Sequence, residues 1–353
     1  MNDEFSDMPF LSNIGLVMTY KCQVACPHCL IEAGPHRKEE ISFNDASKWI
    51  REIADYRNGY IRFLSLTGGE PLFNRTLLKK IAAHGEACGL IVTAVTNAFW
   101  ASTKEKAIKV LRSFSEIKLF AFSTDVYHQE SIPFEKIKNA VAAAKECKIP
   151  YYIAVCTENE DDEGYKGILD KLHDITGADT IKPVITFPFG RAAERLGMSK
   201  YQTSKEPPRS ACLASSYPMI FPDGRVVACI GPLVTLKSDY PLLLGNLHER
   251  PLHEILDEAE TNPILHAIRI WGPGKLISTI KDSGLSLNLP KEYIKNSVCY
   301  ACYTIMSDPE IVKFLGQLAK DIEFRRKVAY GRVYYLKETG MVKGLKKISQ
   351  SKT

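Results

Sequence analysis

No apolar run in this sequence approaches the roughly 20 residues that a membrane-spanning helix needs, so an integral helical membrane protein is excluded and no membrane partner is expected. Its opening residues, Met1-Asn2-Asp3-Glu4-Phe5, are acidic and lack the basic and apolar segments of a secretory signal. A cytoplasmic location follows as the expectation. In that reducing compartment disulfides are not expected, and grouped cysteines read as metal ligands or redox groups. There is no internal repeat and no long low-complexity region, which sets aside repeat arrays and disordered chains. Acid is scarce at one end. Ile311–Thr353 holds eleven Lys or Arg against Asp321, Glu323 and Glu338, while the rest of the chain is slightly acidic although the total is +5. Such a tail can attract an acidic peptide or a nucleic acid, or it is a solvated helix face.

What is present is an ordinary globular composition, 45% hydrophobic and 25% charged over 353 residues, enough for one large domain and a smaller one. Residues 12–190 alternate β-rich runs with helical patterns. Strands are expected at Ile14–Met18, Tyr60–Leu66, Leu90–Thr96, Ile117–Ser123, Tyr151–Cys156 and Thr180–Phe187. Helices are expected at Phe43–Tyr56, Arg75–Cys88, Lys104–Leu111, Phe134–Cys147 and Glu163–Ile175. Repeated βα units imply α/β architecture with a parallel sheet, and right-handed crossovers curl it toward a barrel or part of one. Ligands of such sheets bind at the carboxyl ends of the strands. Residues 191–211, with Pro207-Pro208, read as a linker, and Asp223-Gly224 reads as a hairpin turn. A helix is expected near Leu252–Ala259, irregular chain at Pro241–Asn246 and Trp271–Pro290, and helical composition over Pro309–Glu338.

The chemistry sits at the strand ends. Cys22, Cys26 and Cys29 follow the first strand as Cys-x3-Cys-x2-Cys. Three thiolates on one tight loop can hold three corners of a four-iron cluster and leave the fourth iron open, which makes a site for chemistry and not only for electron storage. The second strand ends in Gly68-Gly69-Glu70-Pro71, where two glycines permit close backbone approach and a carboxylate can accept from an ammonium. The third ends in Thr96-Asn97. The fourth ends in Ser123-Thr124-Asp125, whose hydroxyls and carboxylate suit ribose, although such an Asp also commonly caps a helix.

Together these motifs resemble the radical S-adenosylmethionine (radical SAM) superfamily over residues 12–190. The resemblance implies a partial (β/α)6 TIM-like barrel. It implies a [4Fe-4S] cluster on Cys22, Cys26 and Cys29, with the amino and carboxylate groups of S-adenosyl-L-methionine chelating the open iron. Gly68, Gly69 and Glu70 would orient the SAM amino group; Asn97, Ser123 and Asp125 would line the SAM site. His28 holds the position where the family usually has an aromatic ring beside adenine; zinc ligation is its other reading. An electron donor of the flavodoxin or ferredoxin type is also implied. Gly190-Arg191-Ala192 resembles a segment of members with a C-terminal extension, where Arg191 either pairs with a ligand carboxylate or is a surface residue opening the linker.

A second set, Cys212, Cys229, Cys299 and Cys302, can close around one metal centre from a hairpin and a Cys-x2-Cys turn. By chemistry alone, zinc or [4Fe-4S] is acceptable. The spacing resembles the extensions called SPASM and twitch. With four cysteines instead of seven, the shorter twitch form with one auxiliary [4Fe-4S] cluster is implied, in a small α+β domain over 212–308 that precedes a basic helical tail over 309–353. Cys88, Cys147 and Cys156 read as structural thiols, Cys156 and Glu158 lying near the end of strand five. The expected function is hydrogen abstraction by a 5′-deoxyadenosyl radical from a ribosomal peptide or protein, with net oxidation or crosslinking. A small polar molecule is the alternative substrate. A non-catalytic iron–sulfur or zinc protein bound to nucleic acid is the alternative of another class, and it leaves Gly68-Gly69-Glu70 without a purpose.

Overall fold

The structure, a computed structural model, describes residues 11–285 and 288–338. The basic residues beyond 338 and the acidic start lie outside the described residues. The chain divides into two compact units, one formed by Asn13–Gln202 with Ile220–Gly224 and the other by the remainder.

The first unit is a run of βα units. Strands β1 (Asn13–Val17), β2 (Phe63–Thr67), β3 (Ile91–Thr96), β4 (Ile117–Ser123), β5 (Tyr151–Thr157) and β6 (Ile181–Ile185) pair in sequence order, all parallel. Sequential order means that every crossover returns in the same sense. The helices therefore collect on one face and the sheet curls, as the αβ pattern predicts. Between the strands lie α1 (Phe43–Asp55), α2 (Arg75–Ala87), α3 (Lys104–Arg112), the short α4 (Val126–Gln129), α5 (Phe134–Cys147) and α6 (Glu163–His173); α7 (Arg191–Arg195) follows β6.

Local chemistry explains these elements. Ser42 caps α1 by accepting from the Asp45 N–H, and Ala46, Trp49, Ile50 and Ile53 form its buried stripe at helical spacing. On α2, Asn74 is the cap and Leu78, Ile81, Ala82 and Gly85 face inward. A Cβ on Gly85 would lie 3.0 Å from Val92 and 3.1 Å from Leu64, so glycine lets this helix sit close on the sheet. The core gathers Ile14 and Leu16, Leu64 and Leu66, Val92, Phe120 and Phe122, and Ile153 and Val155.

After the two-residue strands β7 (Thr203–Ser204) and β8 (Met219–Ile220), β9 (Arg225–Val227) of the second unit pairs antiparallel with β10 (Leu243–Asn246), and β11 (Tyr293–Ile294) pairs likewise with β7. That unit's helices are α8 (Leu252–Thr261), α9 (Pro263–Trp271), α10 (Pro273–Asp282), α11 (Val298–Met306), α12 (Pro309–Leu318) and α13 (Ile322–Leu336). The sequence expectations need three corrections here. Trp271–Pro290 is helical over its first half: α10 runs from Pro273 to Asp282, because proline suits a helix's first turn and Gly272, at φ 77°, ends α9. Pro241–Asn246 contains β10, whose register shifts between Leu243 and Gly245. Cys299 and Cys302 lie on α11 and not in a turn, and Ser297 caps that helix by accepting from Tyr300 N–H.

Candidate active site at the strand ends

The cysteine loop leaves β1 and is closed on itself by its backbone. Tyr20 N–H donates to Glu39 O, Gly34 N–H to Tyr20 O and Cys22 N–H to Gly34 O. Cys22 and Cys26 are buried, Cys29 is half-buried, and none is in a disulfide. Burial pushes the Cys22 thiol up to about 11 and Cys26 higher still, and the neighbouring thiols push in the same direction. Such crowded thiols become ligands when a cation replaces their protons. Two of the sulfurs already face donors: Ala33 N–H donates to Cys29 Sγ at 3.3 Å, and the Asn97 amide nitrogen lies 3.7 Å from Cys22 Sγ.

Gly68 and Gly69 turn the chain against this loop. Gly69 N–H donates to Thr19 O at 2.6 Å and Glu70 N–H to Lys21 O at 2.9 Å. A Cβ on Gly68 would lie 2.5 Å from Thr19 O, and one on Gly69 would lie 2.2 Å from Lys21 O. The close approach that the glycines permit is thus to the cysteine loop. Glu70 is fully buried, and its carboxylate accepts from Leu72 N–H, Thr96 Oγ1 and Asn97 N–H at 2.8–3.0 Å. The structure gives its side chain these protein donors where the motif predicted an ammonium. Asn97 Oδ1 in turn accepts from Gln23 Nε2, tying the end of β3 to the residue after Cys22.

Burial raises Glu70 to about 7 from an ordinary 4.5, against the pull of its three donors. A carboxyl raised on folding contributes stability below its unfolded value, and that contribution is lost as pH rises through about 7. Wild-type stability should therefore fall by about 3 kcal/mol from this group between pH 4.5 and 8, while Glu70→Gln flattens that limb. Urea midpoints across this range check it; superimposable pH profiles would rule the carboxyl out.

At the end of β4, Ser123 is half-buried and Asp125 is 1% exposed. Asp125 Oδ1 caps α4 by accepting from Tyr127 N–H and His128 N–H. Its other oxygen lies 2.7 Å from His128 Nδ1 and 3.4 Å from His28 Nε2. Burial opposes its charge, but the two imidazoles overcome this and hold it at about 2. Burial lowers His28 to about 4, so that ring is neutral near pH 7, and its buried Nδ1 has no partner among the described residues. The cap expected of Asp125 is thus present, and the same carboxylate lies beside His28.

At the ends of β5 and β6, Glu158 accepts from Tyr127 OH at 2.8 Å and Thr186 Oγ1 at 2.9 Å. Arg191 is not a free surface residue opening a linker. Its guanidinium donates to Cys26 O at 2.8 Å and Ala33 O at 2.7 Å, spending its fork on the cysteine loop. Sequence reasoning missed Gln23, Tyr127 and His128. Only His128 carried a signal, three residues after Asp125 and so on the same side of any helix that Asp125 caps.

In the second unit Cys212, Cys229, Cys299 and Cys302 line one cavity, of about 20 Å³, with Leu233 and Ile268 among its apolar walls. Burial and then the neighbouring thiols push Cys229 and Cys302 far up, and the same causes carry Cys299 to about 12. A tetrahedral zinc site with Zn–S near 2.3 Å draws its sulfurs to about 4 Å from one another. Among the described residues only His28, Asp125 and His128 place three candidate ligand atoms within 4.8 Å of one another. Both donor sets, thiolate throughout, fit an iron–sulfur cluster, and the four thiols of the second unit fit zinc as well. In the imidazole–carboxylate trio, Asp125 and His128 already satisfy one another.

Residues 16–172 match the Radical SAM superfamily, so this chain carries a radical SAM domain. Across 317 residues, 85% of this chain and 94% of the other, it is 20% identical to YydG of Bacillus subtilis (strain 168), provisionally named a peptide biosynthesis protein. Across 189 residues, 51% of this chain and 60% of the other, it is 26% identical to a Methanopyrus kandleri protein provisionally named a GTP 3′,8-cyclase. The crystal structure of native anSMEcpe with bound AdoMet covers 92% of this chain at a TM-score of 0.50 and 13% identity, with 99% of its own length matched. That match is one of fold, and the α/β partial-barrel expectation stands. No helix among the described residues is long and apolar enough to cross a membrane.

Proposed function

We propose that this radical SAM protein abstracts hydrogen from a peptide or protein substrate. On this reading Cys22, Cys26 and Cys29 hold a [4Fe-4S] cluster and Cys212, Cys229, Cys299 and Cys302 an auxiliary one. The observation that carries it is the placement of three free, mutually crowded thiols on the loop after β1, with the ends of β2 and β3 bonded to that loop. When bound, the first cluster and SAM supply reductive cleavage to a 5′-deoxyadenosyl radical.

The chain's own residues do the positioning. Gly68-Gly69-Glu70 presses its backbone on Thr19 and Lys21 and holds the loop in place. Asn97 and Ala33 direct N–H groups at Cys22 and Cys29 sulfurs, which stabilises negative charge there. His28, with a neutral ring and an unsatisfied Nδ1, can accept or donate one hydrogen bond to the adenine side of SAM, and on this reading Ser123 and Asp125 at the end of β4 would lie toward its ribose. The fully thiolate second set suits an electron acceptor in net oxidation or crosslinking. Its thiolates and the first set's call for a reducing compartment and a one-electron donor of the flavodoxin or ferredoxin class.

The peptide reading stands first because the relative named for peptide biosynthesis aligns over 85% of this chain. A small-molecule substrate is the second reading, supported by the nucleotide named for the relative that aligns over half of it. Anaerobic reconstitution should load about eight irons per chain, and a SAM-dependent mass change should appear on a peptide encoded beside the gene. About four irons with one zinc would remove the redox role of the second set. A mass change confined to small molecules would overturn the peptide assignment.

A further inference from the structure

Gly190 and Arg191 follow β6, and Arg191 bonds the cysteine loop at three points although 158 to 165 residues separate its side chain's partners from it. Arg191 N–H donates to Cys29 O at 3.2 Å, Nη1 to Cys26 O at 2.8 Å and Nη2 to Ala33 O at 2.7 Å. Gly190, at φ 56°, lies so close that a Cβ there would sit 2.3 Å from Leu30 O and 2.9 Å from Cys29 O. The two guanidinium acceptors are not arbitrary carbonyls. Cys26 O also accepts from Cys29 N–H, and it belongs to a residue whose thiol is in the first set. Ala33 is the residue whose own N–H donates to Cys29 Sγ. One planar fork therefore holds both ends of the segment between Cys26 and the donor to Cys29.

We infer that Arg191 is a positioning residue for the radical SAM site: it fixes the Cys26–Ala33 segment in the geometry that aims Ala33 N–H at Cys29 sulfur, and it sets a cation beside the cluster. The inference rests on the assignment of Cys22, Cys26 and Cys29 as cluster ligands. A positive charge and N–H···S bonds both favour the more negative, reduced cluster, so both raise its potential. Lysine keeps the charge but, as a point donor, cannot reproduce a planar fork spanning two carbonyls. Arg191 is thereby distinguished from a residue that merely braces the fold.

The experiment uses full-length reconstituted protein and compares wild type with Arg191→Gln and Arg191→Lys by redox titration monitored by electron paramagnetic resonance, with and without SAM. The signal that SAM perturbs reports the cluster of the first set. For Arg191→Gln its midpoint should shift to more negative potential and the SAM-induced change in the spectrum should be lost. For Arg191→Lys the potential should return toward wild type while the SAM-induced change stays weakened. Thermal melts and the signal that SAM does not perturb show whether each variant is folded. A folded Arg191→Gln with wild-type potential and wild-type response to SAM would overturn the inference and leave the cluster assignment intact. A wild-type protein with no SAM-sensitive signal would overturn the assignment itself, and this inference with it.

Discussion

If the proposed function holds, replacing Cys22, Cys26 and Cys29 together with Ala should abolish SAM cleavage and remove about four of the eight irons expected on reconstitution. The reason lies in the ligand count: with no thiolate on the loop after β1 three ligands are gone at once, and Cys156, the thiol beside Asp125, is a single one. The imidazoles of His28 and His128 are engaged with Asp125, and the Asn97 amide is a donor held by Gln23. Single replacements should be nearly as severe, because an open-iron cluster has only three protein ligands to lose. The fold itself should survive, since the loop is closed by backbone bonds from Tyr20, Gly34 and Cys22 N–H and clamped by Arg191, none of which needs a sulfur. Reductive formation of 5′-deoxyadenosine, measured with dithionite as reductant, decides the matter. Undiminished release in a folded triple variant would sink the assignment of the first set.

The second large effect concerns stability, in the unit that carries the other cysteines. Glu338 is buried between two guanidinium groups: Oε1 accepts from Arg269 Nη2 at 2.6 Å, and Oε2 is bonded to Arg332 Nε. Arg332 is also paired with Glu260 and donates to the Glu260 carbonyl, in the last turn of α8, where a cation meets the helix's negative end. His266 completes the network: its Nδ1 lies 2.9 Å from Arg269 Nη1 and its Nε2 lies 2.8 Å from Glu260 O. An arginine can only donate, so Nδ1 is the acceptor and the proton sits on Nε2. Burial and then the two guanidinium charges push His266 well below its usual value, so the ring stays neutral. Glu338→Gln would leave two buried cations facing one remaining carboxylate. Breaking a buried pair in this way costs about 3–5 kcal/mol.

That loss should show as a large fall in melting temperature, and it should reach the second cysteine set through α9. Cys212 N–H donates to the carbonyl of Ile268, the residue beside Arg269. We expect Glu338→Gln to lose iron from the second set before the first, with the SAM-sensitive signal outlasting the other as temperature rises. A melting temperature unchanged from wild type would show that the pair is solvated in solution and contributes little.

How much of this was legible beforehand differs by element. The five long helices and six strands of the first unit lie within three residues of their expected bounds, because strong apolar periodicity and caps such as Ser42 and Asn74 act locally. The second unit read less well. Gly272-Pro273-Gly274 looks like a breaker, yet only the packing of Gly272 against the Ser210 carbonyl, which a Cβ would approach to 1.8 Å, makes it a junction between two helices. Cys-x2-Cys at 299–302 has the same spacing in a turn or on a helix, and the Ser297 cap decided for the helix.

The site divides in the same way. Residue type and spacing alone determined that three thiols would share one loop after a strand and that the next strand would end in a tight glycine turn, since both are properties of a few consecutive residues. Only the tertiary structure decided what those glycines touch, that Glu70 is consumed by donors from β3, that Asp125 serves a helix and two imidazoles at once, and that Arg191 grips the cysteine loop. Each of these is a bond between segments at least 26 residues apart except for the Asp125 cap and its His128 contact. Such bonds are set by how parallel strands align their carboxyl ends, a register that no local pattern encodes.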